Sequence, residues 1–210
     1  MKRLLVTAGP TREAIDPVRY ITNHSSGKMG YAVAEAAVRA GWAVTLVSGP
    51  TALPRPEGLA EFVSVVSAAE MADAVKSRFP EMDGAVLCAA VADYRPVSVS
   101  EHKIKKTDGG LTLRLERTED ILKSLGMTRR SGQILVGFAA ETDDLEANAL
   151  KKLREKRVDW IAANRVGAPG TGFQSDENEI TLYGARGEVE KLPFSSKKQI
   201  AEKLFARIFG

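Results

Sequence analysis

A single cysteine, Cys88, and two histidines, His24 and His102, are all the thiol and imidazole the chain contains. That excludes a disulfide framework and a Cys/His zinc site, and it fits a reducing cytoplasm. Aromatic residues are scarce at 6%, which leaves little for stacking nucleic-acid bases. Charge of one sign does not dominate: 30 basic against 27 acidic side chains leave +3, too little to draw a polyanion. Long apolar runs are missing as well. The longest nearly apolar run, Gly84 to Ala92, has nine residues and stops at Asp93, whereas a membrane-spanning helix takes about 20. The basic start, Met1-Lys2-Arg3, precedes too short an apolar stretch for a signal peptide. Neither nucleic acid nor a membrane is an expected partner.

What is present is ordinary globular composition, 44% apolar and 27% charged over 210 residues. A chain of this length buries roughly 70% of its unfolded surface without staples. Short apolar segments alternate with helical patterns. Strands are expected at Leu4–Ala8, Ala43–Val47, Glu61–Val66, Gly84–Ala90, Ile134–Ala139 and Trp160–Ala163. Helices are expected at Gly30–Ala40, from the capping box Ser67-Ala68-Ala69-Glu70 to about Arg78, and at Asp144–Arg157. This alternation predicts an α/β fold, a Rossmann-like doubly wound, mostly parallel sheet. Residues 94–117 break the rhythm and read as a flexible flap, with Leu111–Leu115 alternating at period two as a returning strand. Glu179–Tyr183 and Glu188–Leu192 flank Gly184–Gly187 as a C-terminal β-hairpin, followed by a helix capped at Ser196 and ending near Phe209.

Ligands of such sheets bind beyond the carboxyl ends of the strands. After the first strand, Thr7-Ala8-Gly9-Pro10 has one glycine where a dinucleotide fingerprint has three. Glycines arrive later, in Ser25-Ser26-Gly27-Lys28-Met29-Gly30 before a helix, where backbone N–H groups and the helix dipole favour phosphate. A tight loop packed under the helix would need the same residues. Asp93 directly follows a buried strand and requires partners, either a ligand hydroxyl or a turn to cap. Cys88 within that strand reads as a core thiol. Phe138 reads as core or as a stacking platform, and Lys152 and Lys156 share one helix face.

Together, five ordered blocks make a more specific pattern: VTAGPTREAIDPVRYITNHSSGKMG at 6–30, AAVADYRP at 89–96, KIKK at 103–106, GFAAET at 137–142 and AANRVGAPGTGFQSDEN at 162–178. In these blocks the chain resembles the phosphopantothenoylcysteine synthetases (phosphopantothenate–cysteine ligases) of the bacterial CTP-dependent type, over essentially its whole length. The resemblance implies one synthetase domain spanning 1–210. It implies a coenzyme A biosynthesis ligase that joins 4′-phosphopantothenate to L-cysteine through an acyl-cytidylate, releasing pyrophosphate and CMP. By the family motif Asn23 contacts the acyl intermediate, and Lys103 is the lysine of the flap. Nucleotide contacts fall on Gly27, Gly30, Leu87, Cys88, Ala89, Asp93, Lys103, Glu119, Asp120, Ile121, Leu122, Phe138, Lys152 and Lys156, with Lys28 a further phosphate contact.

The resemblance also implies Mg2+ held largely by the triphosphate, a cytoplasmic homodimer, and an exposed edge such as the late hairpin as its contact. With the first strand at residue 4, no decarboxylase half and no FMN are expected. One departure is Thr118-Glu119-Asp120-Ile121, where relatives often read Asn-Pro-Asp-Ile. Two other classes compete: a nicotinamide-dependent reductase, disfavoured by the incomplete glycine fingerprint and the lack of a Tyr-x-x-x-Lys pair, and a non-catalytic nucleotide-binding module. The latter has no use for an oxyanion donor at Asn23 or a mobile lysine at 103.

Overall fold

The computed structural model describes residues 1–106, 108–141, 143–165 and 175–210. In chain order the elements begin β1 (Arg3–Ala8), β2 (Arg12–Asp16), β3 (Arg19–Thr22), α1 (Lys28–Arg39), β4 (Ala43–Ser48) and β5 (Glu61–Ser64). They continue α2 (Ala68–Arg78), β6 (Gly84–Leu87), β7 (Tyr94–Pro96), β8 (Leu115–Arg117), α3 (Ile121–Thr128) and β9 (Ile134–Glu141). The last are α4 (Leu145–Lys156), β10 (Trp160–Arg165), β11 (Glu177–Gly184), β12 (Val189–Ser196) and α5 (Lys197–Phe209).

Eight strands form one sheet in the order β12-β11-β10-β9-β6-β1-β4-β5. The six from β10 to β5 are parallel, and β11 and β12 add an antiparallel pair at one edge. Apolar residues occupy both faces of each central strand, as a sheet covered on both sides demands. Leu4, Val6, Val44, Leu46, Val86 and Val136 pack under α1 and α5. Leu5, Val47, Ala85, Leu135, Ile161 and Ala163 pack under α2, α3 and α4. Each fully buried Leu or Ile contributes about 1.5–3 kcal/mol of apolar burial. The chain leaves β1 for β4 and β5 on one side, then returns to place β6 on the other. The carboxyl ends of β1 and β6 therefore flank the crevice where the winding reverses.

Most expected elements appear within a few residues of their expected bounds. The strand expected at Gly84–Ala90 is shorter, ending at Leu87; beyond it Ala90 N still donates to Gly9 O at 2.9 Å, but the regular pairing is interrupted where Ala89 N donates to Thr7 Oγ1 at 3.1 Å and Ala92 N to Thr11 Oγ1 at 2.9 Å. The returning strand expected at Leu111–Leu115 is Leu115–Arg117, paired antiparallel with β7 and wholly exposed. The hairpin β2–β3 was not anticipated. Its turn is built by the Asp16 carboxylate, which accepts from Val18 N and Arg19 N at 3.0 and 2.9 Å. Helix α3 was also missed; Asp120 caps it, accepting from Lys123 N at 3.0 Å.

The last helix follows the sequence pattern closely. Ser196 and Gln199 complete a capping box. Ile200, Leu204 and Ile208 recur at four-residue spacing and are buried against α1. Trp42 meets Phe205 and Phe209 edge-on, with centroids 5.5 and 5.3 Å away. No helix among the described residues is long and apolar enough to cross a membrane.

Candidate active site

A cavity of about 410 Å³ opens at the carboxyl ends of β1, β6, β9 and β10, a size typical of small-molecule sites. Its floor is the loop after β6. Three side chains hold that loop's backbone: Thr7 through Ala89 N, Thr11 through Ala92 N, and Asn23, whose Nδ2 donates to Ala90 O at 2.8 Å. Thr118 adds a fourth tie, donating from Oγ1 to Ala92 O at 2.6 Å. The loop thus presents small side chains and a fixed backbone to the cavity, which allows close approach by a ligand.

One wall is the start of α1. Gly27 has φ +81°, and a Cβ at Gly30 would lie 2.6 Å from the Ala8 Cβ and 2.8 Å from Thr7 O. Only glycine lets the helix start seat this closely on β1, and Gly27 to Gly30 line the cavity there. The opposite wall comes from α3 and α4. Lys152 Nζ pairs with Glu141 at 2.5 Å and Lys156 Nζ with Asp120 at 3.1 Å. Glu119 is held below the ordinary carboxylate range by its hydrogen bond from Lys76, 2.6 Å away. Burial pushes the Cys88 thiol well up, which removes it as a nucleophile at neutral pH.

The cavity gathers Asn23, Gly27, Gly30, Leu87, Cys88, Ala89, Asp93, Glu119, Asp120, Ile121, Leu122, Phe138, Lys152 and Lys156 from distant parts of the sequence. Lys28 lines it too. Lys103 does not; it is exposed on the segment between β7 and β8. Its neighbour Ile104 is anchored to the β2–β3 hairpin: Ile104 N donates to Asp16 Oδ2 at 3.1 Å, and Arg19 Nη2 donates to Ile104 O at 3.0 Å. Much of the sequence block at 162–178, and Thr142 of the block at 137–142, lie outside the described residues.

Sequence reasoning missed Asn164, Asn178 and Lys197, which also line the cavity while 8%, 5% and 6% exposed. The two asparagines lie within the quoted block 162–178, at the end of β10 and the start of β11, where strand-end position was the available signal. Nothing in the sequence marked Lys197 beyond its place after a helix cap. The departure at Thr118-Glu119 is absorbed locally. Thr118 ties the loop, while Asp120 retains the cap and the ion pair with Lys156.

Among the described residues, no three His, Cys, Asp or Glu side chains converge in a metal-holding group. Glu119, Asp120 and Glu141 are each committed to a lysine. Committed in this way, these three carboxylates do not fit a protein-held magnesium ion.

A sheet of strand order 5-4-1-6-9-10 with a cavity at its reversal defines a Rossmann-like, doubly wound α/β protein. More particularly, the chain belongs to the DNA/pantothenate metabolism flavoprotein C-terminal domain family, whose model matches residues 1–210. It is 53% identical over 207 residues to the coenzyme A biosynthesis bifunctional protein CoaBC of Bacillus subtilis (strain 168), covering 99% of this chain and 51% of that protein. The chain thus spans about half the length of the curated relatives it matches. Among solved structures, it superposes on the C-terminal domain of a CoaBC protein with a TM-score of 0.84 at 48% identity, covering 99% of this chain and 93% of that one. A DNA/pantothenate metabolism flavoprotein from Streptococcus pneumoniae gives the same TM-score at 26% identity, covering 99% and 98%.

Proposed function

We propose that this chain is a phosphopantothenate–cysteine ligase, acting in coenzyme A biosynthesis with CTP as co-substrate. The observation that carries the reading is the side-chain set of the cavity: a glycine-built helix start and two lysines for phosphates, and an anchored asparagine beside a small-residue loop. The matching C-terminal domain of CoaBC supports it.

In the first step the 4′-phosphopantothenate carboxylate oxygen attacks the α-phosphorus of CTP, and pyrophosphate leaves. This phosphoryl chemistry asks the protein for positioning and charge neutralisation rather than a covalent partner. The α1 N-terminus and the Lys152/Lys156 wall supply that charge. Magnesium bound to the triphosphate, as the family resemblance implies, would supply further neutralising charge there. In the second step the cysteine amine attacks the acyl carbon, the amide bond forms, and CMP leaves as the amine loses its proton. Asn23 spends one N–H on Ala90 O and keeps the other for the developing oxyanion. Lys103 closes over the reacting phosphate when its segment swings on the Asp16 anchor.

The functional unit in this reading is a cytoplasmic homodimer. Val18, Tyr20, Tyr94 and Val97, in or beside the β2–β3 and β7–β8 strand pairs, are each roughly half exposed, as are Val189 and Phe194 on β12, and a dimer contact would cover apolar residues of this kind. A solution mass near 22.7 kDa would contradict the dimer.

The deciding experiment is pyrophosphate release with 4′-phosphopantothenate, magnesium and CTP, with and without cysteine, and repeated with ATP. Cysteine-dependent release of CMP is the expected result. Turnover with ATP alone would break the assignment of the base, and silence with both nucleotides would sink the ligase reading.

A further inference from the structure

Lys152 is held in place from behind. Alternate residues of a strand share a face, so Glu141, the last residue of β9, falls on the side of Leu135 and Ala139, against α4. On α4, Asn148 and Lys152 are four residues apart and stand one above the other. Both meet Glu141. Lys152 Nζ pairs with Glu141 Oε1 at 2.5 Å, and Asn148 Nδ2 donates to Glu141 Oε2 at 3.2 Å and to Asp143 O at 3.0 Å. Each carboxylate oxygen therefore has its own donor, and the two donors come from consecutive turns of one helix.

Two features separate this pair from an ordinary surface pair. The first is burial. The Glu141 side chain is 15% exposed, whereas Lys151 and Glu155, on the same helix, are both mostly exposed and stand 3.9 Å apart. An exposed pair of that kind contributes little. The second is placement. Lys152 lines the cavity and Glu141 does not, so the acid sits behind the base rather than beside a ligand. Asp120, the partner of Lys156, differs on both counts, being more exposed and itself part of the cavity wall.

We infer that Glu141 is a positioning residue that fixes the Lys152 ammonium for the outer phosphates of the nucleotide. One Nζ–H goes to Glu141, and two remain for a ligand. A lysine loose in solvent gives up rotamer freedom when it meets a phosphate; Lys152 has already given it up on folding. Phosphoryl transfer depends on charge placed in this way, and a lysine held by a glutamate is a recurrent device for it. The inference rests on the ligase reading, which puts a triphosphate at Lys152. Charge counting alone predicts the opposite sign. Removing the Glu141 charge makes the site more positive, which by itself tightens binding of a polyanion, whereas loss of positioning weakens it.

The test is calorimetric titration of CTP with magnesium, and of CMP, into the parent chain, Glu141→Gln, Lys152→Met and the double variant. Glu141→Gln should bind CTP about tenfold more weakly and CMP as the parent does. With Lys152→Met already in place, Glu141→Gln should change CTP binding no further, because the interaction it removes is gone. Asn148→Ala keeps both charges but frees Glu141 Oε2, so it should weaken CTP binding in the same direction and by less. If Glu141→Gln melts without a cooperative transition, Asn148→Ala decides on the same criteria. Unchanged or tighter CTP binding overturns the inference. So does an equal loss for CTP and CMP, or a loss that persists in the Lys152→Met background. A parent chain that binds neither nucleotide removes the ligase reading, and this inference with it.

Discussion

Asn23 donates from Nδ2 to the carbonyl oxygen of Ala90 at 2.8 Å, a bond across 67 residues of sequence. Asn23 is thus one of four side chains that tie the cavity floor, and its second amide N–H is the donor that the ligase reading assigns to the oxyanion. Asn23→Asp sets a carboxylate oxygen against that carbonyl, so it should disturb the floor as well as remove the donor. The expected outcome is a kcat lower by about 10²–10³-fold, with accumulation of the acyl-cytidylate and a lower melting temperature than Asn23→Ala. Normal turnover by Asn23→Asp would end its assignment as oxyanion donor.

Lys103→Gln should slow turnover without changing the melting temperature, because the Lys103 side chain is exposed and outside the core. Asp16→Asn should share the kinetic defect and also lower the melting temperature, since Asp16 holds both the β2–β3 turn and Ile104 N. Stopped-flow rates and thermal melts on the two variants separate these effects. Equal melting temperatures for both would show that the anchor is not structural.

The same carboxylate sets an acid limit. Hydrogen bonding from Arg19, and then from backbone N–H groups, holds Asp16 far below the ordinary value near 3.8. A carboxylate with a depressed folded-state pKa adds stability above its unfolded value, and loses that stability as pH falls through the folded one. Melting temperature should therefore fall as the pH drops below about 4, less steeply in Asp16→Asn than in the parent. Parallel curves for the two chains would be evidence against this source.

Gly30→Ala forces a methyl into the contact with Ala8 and Thr7. It should cost about 1–3 kcal/mol in denaturant unfolding and weaken CTP binding by shifting the α1 start. Gly109→Ala, where a Cβ meets nothing within 4 Å, should stay within about 0.5 kcal/mol of the parent.

The parallel strands were legible because burial on both faces writes itself as continuous apolar runs such as Leu4-Leu5-Val6. The strand order was not written there; only the alternation that permits it was. Hairpin β2–β3 escaped notice because its connection, Pro17-Val18, lacks a glycine turn signal, and because the hairpin owes its turn to a side chain. Helix α3 has only eight residues, with Gly126 inside, so helical periodicity had little room to show. Gly126 is needed there: a Cβ would lie 1.8 Å from Lys156 O. The cavity residues at strand ends followed from the rule for open sheets, together with the family motif. Lys197 did not, because whether a lysine after a helix cap points to water or inward is decided by packing of α5 on α1, which its own sequence neighbourhood does not encode.

That packing ties the integrity of the site to that of the core. Helix α5 supplies Ile200, Leu204 and Phe205 to the core beside α1 and starts with a residue that lines the cavity. The wall beside α1 is therefore whole only while α5 is docked on the core. A core substitution under α5, far from the cavity, should consequently cost ligand binding as well as stability.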